Sequence, residues 1–101
     1  MSPEPLSDDE ITDALRALPG WEVVGGALRR TYAFSGHLPA AAMVVHVAAL
    51  QEELNHHSEQ TLGYASLAIS VHTHSVGGAV TRLDTELAAR IEEIAPGHGA
   101  R

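Results

Sequence analysis

A chain of 101 residues carries one hydrophobic core and has no room for a second, so residues 1–101 are expected to form a single domain. With 45% apolar and 19% charged residues it has the make-up of a folded protein, which excludes intrinsic disorder. It has no Cys, no Lys and a net charge of −7, which excludes disulfides, thiolate metal centres, Schiff-base and P-loop chemistry and argues against nucleic acid or an anionic membrane as partner.

No apolar run approaches the roughly 20 residues that span a bilayer, so no membrane segment is expected. Met1-Ser2-Pro3-Glu4-Pro5 has neither the basic nor the apolar region of a signal peptide. With the missing cysteines, this predicts a cytoplasmic protein. The unusual number is seven His. Imidazole is the side chain whose unperturbed titration falls near neutrality, which suits it to moving protons.

Residues 1–6 read as a tail. Ser7-Asp8-Asp9-Glu10 is a capping box: the Ser oxygen takes an amide hydrogen three residues on, and Glu10 reaches back. Leu6 and Ile11 are placed for a hydrophobic staple. Ile11, Leu15 and Leu18 form one apolar helical stripe, which Pro19-Gly20 stops. Residues 21–24 and 27–34 are β-rich runs around Gly25-Gly26, a hairpin signal. In the second run Leu28, Arg30, Tyr32 and Phe34 alternate with Arg29, Thr31 and Ala33.

A loop over 35–39, with Pro39 suited to a first helical turn, leads into a helix over 40–55. Its core face is Met43, Val47, Leu50 and Leu54. Val45, Ala49, Glu52 and His56 form a second face, on which Glu52 and His56 are one turn apart and expected to touch. Residues 59–74 return to strand character, divided by a turn near 63–66. Leu67, Ile69, Val71 and Thr73 are expected to face the core; Ala68, Ser70, His72 and His74 face the open side, which puts His72 and His74 together. After Gly77-Gly78, Thr81-Arg82-Leu83-Asp84 is a second capping box, with Asp in place of Glu. Leu83, Leu87, Ile91 and Ile94 continue as a helical stripe to Pro96-Gly97, and His98 opens a second tail. The predicted fold is α+β in the order α-β-β-α-β-β-α: an antiparallel four-stranded sheet with the helices packed on one face.

The chemistry concentrates in Glu52-Glu53-Leu54-Asn55-His56-His57-Ser58, then Tyr64, His72-Thr73-His74 and Asp84. Each residue has a plain structural reading. A helix C-terminus favours a charged His, a solvated strand face accepts polar residues, and Asp84 reads first as a cap. Tyr64 and Trp21 read as packing, Met43 as core, Glu92-Glu93 as a solvated face, and His46 and His98 as residues without a role. Several His beside Glu52 are nevertheless what general acid–base catalysis requires. The rival chemistry is a metal site on His72 and His74, completed by His56 or Glu52; nothing in the spacing demands it, and no metal is expected.

In this spacing the sequence resembles the pterin-4a-carbinolamine dehydratases, also called 4a-hydroxytetrahydrobiopterin dehydratases. Their signature is an acidic residue, three residues, His-His, a small residue or Pro, a spaced aromatic, a strand His and an Asp. Glu52, His56-His57-Ser58, Tyr64, His74 and Asp84 fill those places in order. The frame matches as well: Leu18-Pro19-Gly20-Trp21, Leu28-Arg29-Arg30 leading to Phe34, Thr73-His74 before Gly77-Gly78, and Asp84 before Leu87-Ala88. The resemblance covers about residues 7–95. It implies removal of water from a 4a-hydroxytetrahydropterin to give the quinonoid dihydropterin, in tetrahydropterin recycling, without metal or organic cofactor. His56, His57 and His74 are then the acid–base set, and Glu52 orients His56. Asn55, His56, His57, His72, Thr73, His74 and Ser75 contact the substrate. The resemblance also implies a homodimer or homotetramer, with the central helix in the contact.

Four features depart from the family pattern. Ser58 stands where the family usually has Pro, which predicts a looser loop after the His pair. His37 and Met43 occupy places where relatives commonly carry Phe. His72 is an additional His, and nine residues separate His74 from Asp84, one more than in many relatives. Two alternatives follow: a dehydratase-like homologue for another heterocyclic substrate, and a non-catalytic binding or accessory protein of the same fold.

Overall fold

Two of the three α-helices begin where the sequence supplies a side-chain cap. The computed structural model describes residues 3–101; residues 1–2 of the expected tail lie outside them. Helix α1 (Asp8–Arg16) starts at Ser7, whose hydroxyl accepts the Glu10 amide at 3.2 Å while the Glu10 carboxylate accepts the Ser7 amide at 2.9 Å. Helix α3 (Arg82–Ile94) repeats this at Thr81, with Asp84 as the reaching carboxylate. Helix α2 (His37–Leu54) starts earlier than expected and takes Pro39 into its first turn, where a missing amide costs no helical bond. It stops at Asn55, which adopts the left-handed conformation (φ 51°).

Strands β1 (Glu22–Val24), β2 (Ala27–Ala33), β3 (Glu59–Leu62) and β4 (Ser66–Val71) form one antiparallel sheet in the order β1-β2-β4-β3. Gly25 and Gly26 both have positive φ (59° and 82°), the backbone that a two-residue hairpin turn needs. The period-2 pattern decides which face is covered. Leu67, Ile69 and Val71 of β4 are fully buried, with Tyr32, Arg30 and Leu28 of β2 in register beside them. From above, α2 adds Met43, Val47 and Leu50, and α3 adds Leu87, Ala88 and Ile91. Each buried Leu, Ile or Val contributes about 1.5–3 kcal/mol. Arg29, Thr31 and Ala33 point to the open face. The fold is the expected α+β sheet with its helices on one side.

Four expectations are corrected here. Glu92 does not lie on a solvated face. Its Oε1 accepts hydrogen bonds from Trp21 Nε1 (2.9 Å) and the Tyr32 hydroxyl (2.5 Å), with Arg30 Nε 3.6 Å away. Burial, reinforced by Glu92, pushes the Tyr32 hydroxyl above its ordinary range. Tyr64 is 80% exposed rather than packed; its carbonyl accepts a hydrogen bond from His37 Nδ1, and the two rings stack. The C-terminal residues are not a loose tail: Ala95–His98 form a 3₁₀ turn, and Arg101 exchanges two backbone hydrogen bonds with Ala33. His46 and His98 are not idle, since their ring nitrogens lie 2.8 Å apart.

Candidate active site

The end of α2, the end of β4 and the start of α3 meet around a cavity of about 400 Å³. Its lining includes four imidazoles: His56, His57, His72 and His74. Local chain geometry explains how they converge. The left-handed Asn55 ends α2, and the His56 amide bonds back to the Gln51 carbonyl at 3.0 Å. His56 therefore leaves the helical line and does not lie over Glu52. The expected Glu52–His56 contact is replaced by two others. Glu52 Oε2 is 2.8 Å from Nε2 of His57, and both side chains are largely exposed. His56 Nε2 is instead 2.5 Å from Oδ1 of Asp84.

Asp84 is fully buried, and each of its oxygens is used. Oδ1 faces His56, while Oδ2 accepts the Thr81 amide at 2.8 Å and the Thr73 hydroxyl at 2.9 Å. The Thr73 and Thr81 hydroxyl oxygens are 2.8 Å apart. Thr73 has a single hydroxyl hydrogen, which goes to Asp84, so Thr81 donates to Thr73. Thr81 Oγ1 then accepts the Leu83 amide at 3.2 Å. Facing a carboxylate oxygen, Nε2 of His56 carries the hydrogen. In the neutral ring this leaves Nδ1 as the acceptor. The capping box of α3 thus sets the tautomer of a cavity imidazole.

Beyond Val71 the strand breaks, earlier than the sequence predicts. Thr73 still bridges to Ala79 and turns inward, and His74–Val76 form a 3₁₀ turn. His72 and His74 fall together as expected, with ring centroids 4.4 Å apart at 67°. His72 Nδ1 is buried without a partner among the described residues and lies beside Gly78. The loop after the His pair is tied rather than loosened by Ser58. Its amide (2.9 Å) and its hydroxyl both donate to the buried Gln51 Oε1, and Pro at this position would supply neither hydrogen.

Of the residues singled out in the sequence, Asn55, His56, His57, His72, Thr73, His74 and Ser75 line the cavity. The Thr73 hydroxyl is already engaged by Asp84. Glu52 reaches the cavity only through His57. Sequence reasoning missed four contributors: Gln51, Glu59, Ser70 and Leu83. Gln51 left a signal, because it stands one turn after Val47 on the buried stripe, where a polar side chain needs a partner. Among the described residues no group of three or more His, Cys, Asp or Glu is arranged to hold a metal ion.

Comparison with known proteins agrees with the residues that carry the resemblance. Residues 4–94 match the family model described as pterin 4 alpha carbinolamine dehydratase. A Streptomyces coelicolor protein, whose name assigns it provisionally as a pterin-4-alpha-carbinolamine dehydratase, is 58% identical over 100 residues, covering 99% of both chains. A Thermomicrobium roseum protein with the same provisional name is 41% identical over 90 residues, 89% of this chain and 96% of its own. The crystal structure of a transcriptional coactivator/pterin dehydratase from Brucella melitensis superposes with a TM-score of 0.86 at 33% identity, covering 91% of this chain and 99% of that one. A pterin dehydratase-like protein described as a RuBisCO assembly factor in the alpha-carboxysome shares the fold alone, with a TM-score of 0.60 at 22% identity over 74% of this chain and 86% of its own.

Proposed function

The chain belongs to the pterin 4 alpha carbinolamine dehydratase family, and on that premise we propose that it removes water from a 4a-hydroxytetrahydropterin by imidazole acid–base catalysis. The observation that carries this reading is the carboxylate-held His56 sharing one cavity with His57, His72 and His74. His56 presents Nδ1 as the base and takes the N5 proton. A second imidazole, of His57 or His74, gives a proton to the 4a-hydroxyl. The C4a–O bond breaks, the N5=C4a bond forms, and one water leaves. Acid and base each contribute about 10²–10⁴-fold in catalysis of this kind. No metal or organic cofactor enters the step.

Asn55 and residues 72–75 hold the substrate, and Glu52 positions His57. On this reading the product is a quinonoid dihydropterin, the reaction serves tetrahydropterin recycling, and a cytoplasmic location is part of the proposal. A homodimer or homotetramer joined through α2 completes the proposal. Leu38 and Val45 of that helix are 79% and 70% exposed, beside the small exposed Ala42, Ala48 and Ala49. Light scattering tests it, and a monomer mass contradicts it. Among the described residues no helix is long and apolar enough to cross a membrane.

One observation favours a second reading. No Phe, Tyr or Trp lines the cavity, so imidazoles are the only rings on which a flat substrate can stack there. The same pocket acting on a different heterocycle, or serving an accessory protein, fits that lining. Product analysis after incubation with 4a-hydroxytetrahydropterin separates them. Accelerated formation of quinonoid dihydropterin supports the dehydratase; an uncatalysed rate leaves the second reading.

A further inference from the structure

Three carboxylates border the candidate site, and two of them are engaged. Asp84 holds His56 and caps α3; Glu52 holds His57. The third, Glu59, opens β3 and lines the cavity. It is in register with Ser70, also a lining residue, so both side chains stand on the open face of the sheet. The next residue, Gln60, points the other way, its amide donating to the Val44 carbonyl at 3.2 Å. Arg29 lies in the same cross-strand row, one strand beyond Ser70, and has Glu22 in register on its other side. Two strand spacings put the backbone of Arg29 roughly 10 Å from that of Glu59, and the two side chains form no ion pair among the described residues. Among the described residues Glu59 makes no salt bridge and no side-chain hydrogen bond. No Arg lines the cavity.

A free carboxylate at the rim of a pocket that no Arg or Lys lines selects a ligand edge with two adjacent N–H donors, which it accepts side by side. The pterin ring has such an edge, formed by the 2-amino group and N3–H. We propose that Glu59 is a specificity-determining residue that accepts this edge and so selects 2-amino heterocycles over their 2-oxo counterparts. This rests on the dehydratase reading above. The 2-oxo analogue lumazine presents N3–H beside a carbonyl oxygen, which a carboxylate repels. An amide at this position, with one acceptor and one donor, matches the lumazine edge instead.

The test titrates pterin and lumazine against the wild-type protein, Glu59→Gln and Glu59→Ala, with 4a-hydroxytetrahydropterin turnover measured in parallel. The wild type is expected to prefer pterin by about tenfold to a hundredfold, the range for a hydrogen bond to a charged group. Glu59→Gln is expected to erase or reverse that preference. Glu59→Ala weakens pterin while leaving lumazine within a few-fold. In turnover, Glu59→Gln raises KM about tenfold with kcat little changed. A pterin preference identical in the wild type and Glu59→Gln overturns the assignment of Glu59, whatever the turnover. Absent turnover by the wild type overturns the dehydratase reading instead, and the ligand preference still reports on Glu59. Glu59 is exposed, so neither variant threatens the fold.

Discussion

His56 Nε2 lies 2.5 Å from Asp84 Oδ1, and the other oxygen of the same carboxylate closes the capping box of α3. One buried group therefore starts a helix and fixes an imidazole at the cavity. Separating the two roles is the first use of the geometry. Asp84→Asn keeps an oxygen for the Thr81 amide but offers His56 an amide, so it is expected to fold and to lose turnover by roughly 10²-fold or more. Asp84→Ala removes both roles and strands the Thr73 hydroxyl and His56, costing about 3 kcal/mol or more in urea unfolding. Wild-type turnover in a folded Asp84→Asn protein would remove Asp84 from the site.

Ser58 and Gln51 give a second test. Ser58→Pro restores the residue usual in the family yet removes the two hydrogens that Gln51 Oε1 accepts. Left buried and unpaired, that oxygen is expected to cost about 1–3 kcal/mol. Ser58→Ala keeps the amide bond and is expected to cost less. Equal or greater stability in Ser58→Pro would show that Gln51 does not tie this loop.

Glu92 joins elements far apart in sequence, because Trp21, Tyr32 and Arg30 all approach its Oε1. Glu92→Ala is expected to destabilise by about 2–3 kcal/mol and to shift the emission of the single Trp. The Tyr32 hydroxyl titrates above its ordinary range in the folded protein, through burial first and Glu92 second. The folded form therefore keeps a proton that the unfolded form gives up near pH 10. Stability from this source is intact below about pH 10 and falls above it. A Tyr32→Phe variant should lose that alkaline slope; an unchanged slope contradicts the assignment.

The His46–His98 pair acts on the acid side. Partial burial, then His46, holds the His98 imidazole below its ordinary range. A lowered folded value means that the unfolded chain binds the proton first. The contribution is present above about pH 6.5 and is lost as the pH falls below it. Denaturant midpoints measured from pH 7.5 to 5 should fall, and His98→Gln should flatten that dependence. The same slope in the variant would assign it elsewhere.

Much of this was legible in the sequence, for physical reasons that differ from place to place. The Ser7 and Thr81 boxes, the Gly25-Gly26 turn and the alternation through Leu67, Ile69 and Val71 are local patterns, and local geometry obeyed them. The Glu52–His56 contact failed because it assumed that the helix continues, whereas Asn55 turns left-handed one residue earlier. Glu92 looked solvated because its partners, Trp21 and Tyr32, are 71 and 60 residues away. Asp84 is the cap that the Thr81–Asp84 spacing predicts. Its second oxygen meets a residue 28 positions earlier, and no periodicity announces that.

The most direct test of the central claim is a coupled assay of 4a-hydroxytetrahydropterin dehydration with the wild type, His57→Ala and His74→Ala. The account predicts a clear wild-type acceleration that falls by roughly 10²–10⁴-fold in each variant. Wild-type rates in both variants would contradict the imidazole mechanism, and no acceleration by the wild type would contradict the dehydratase assignment itself.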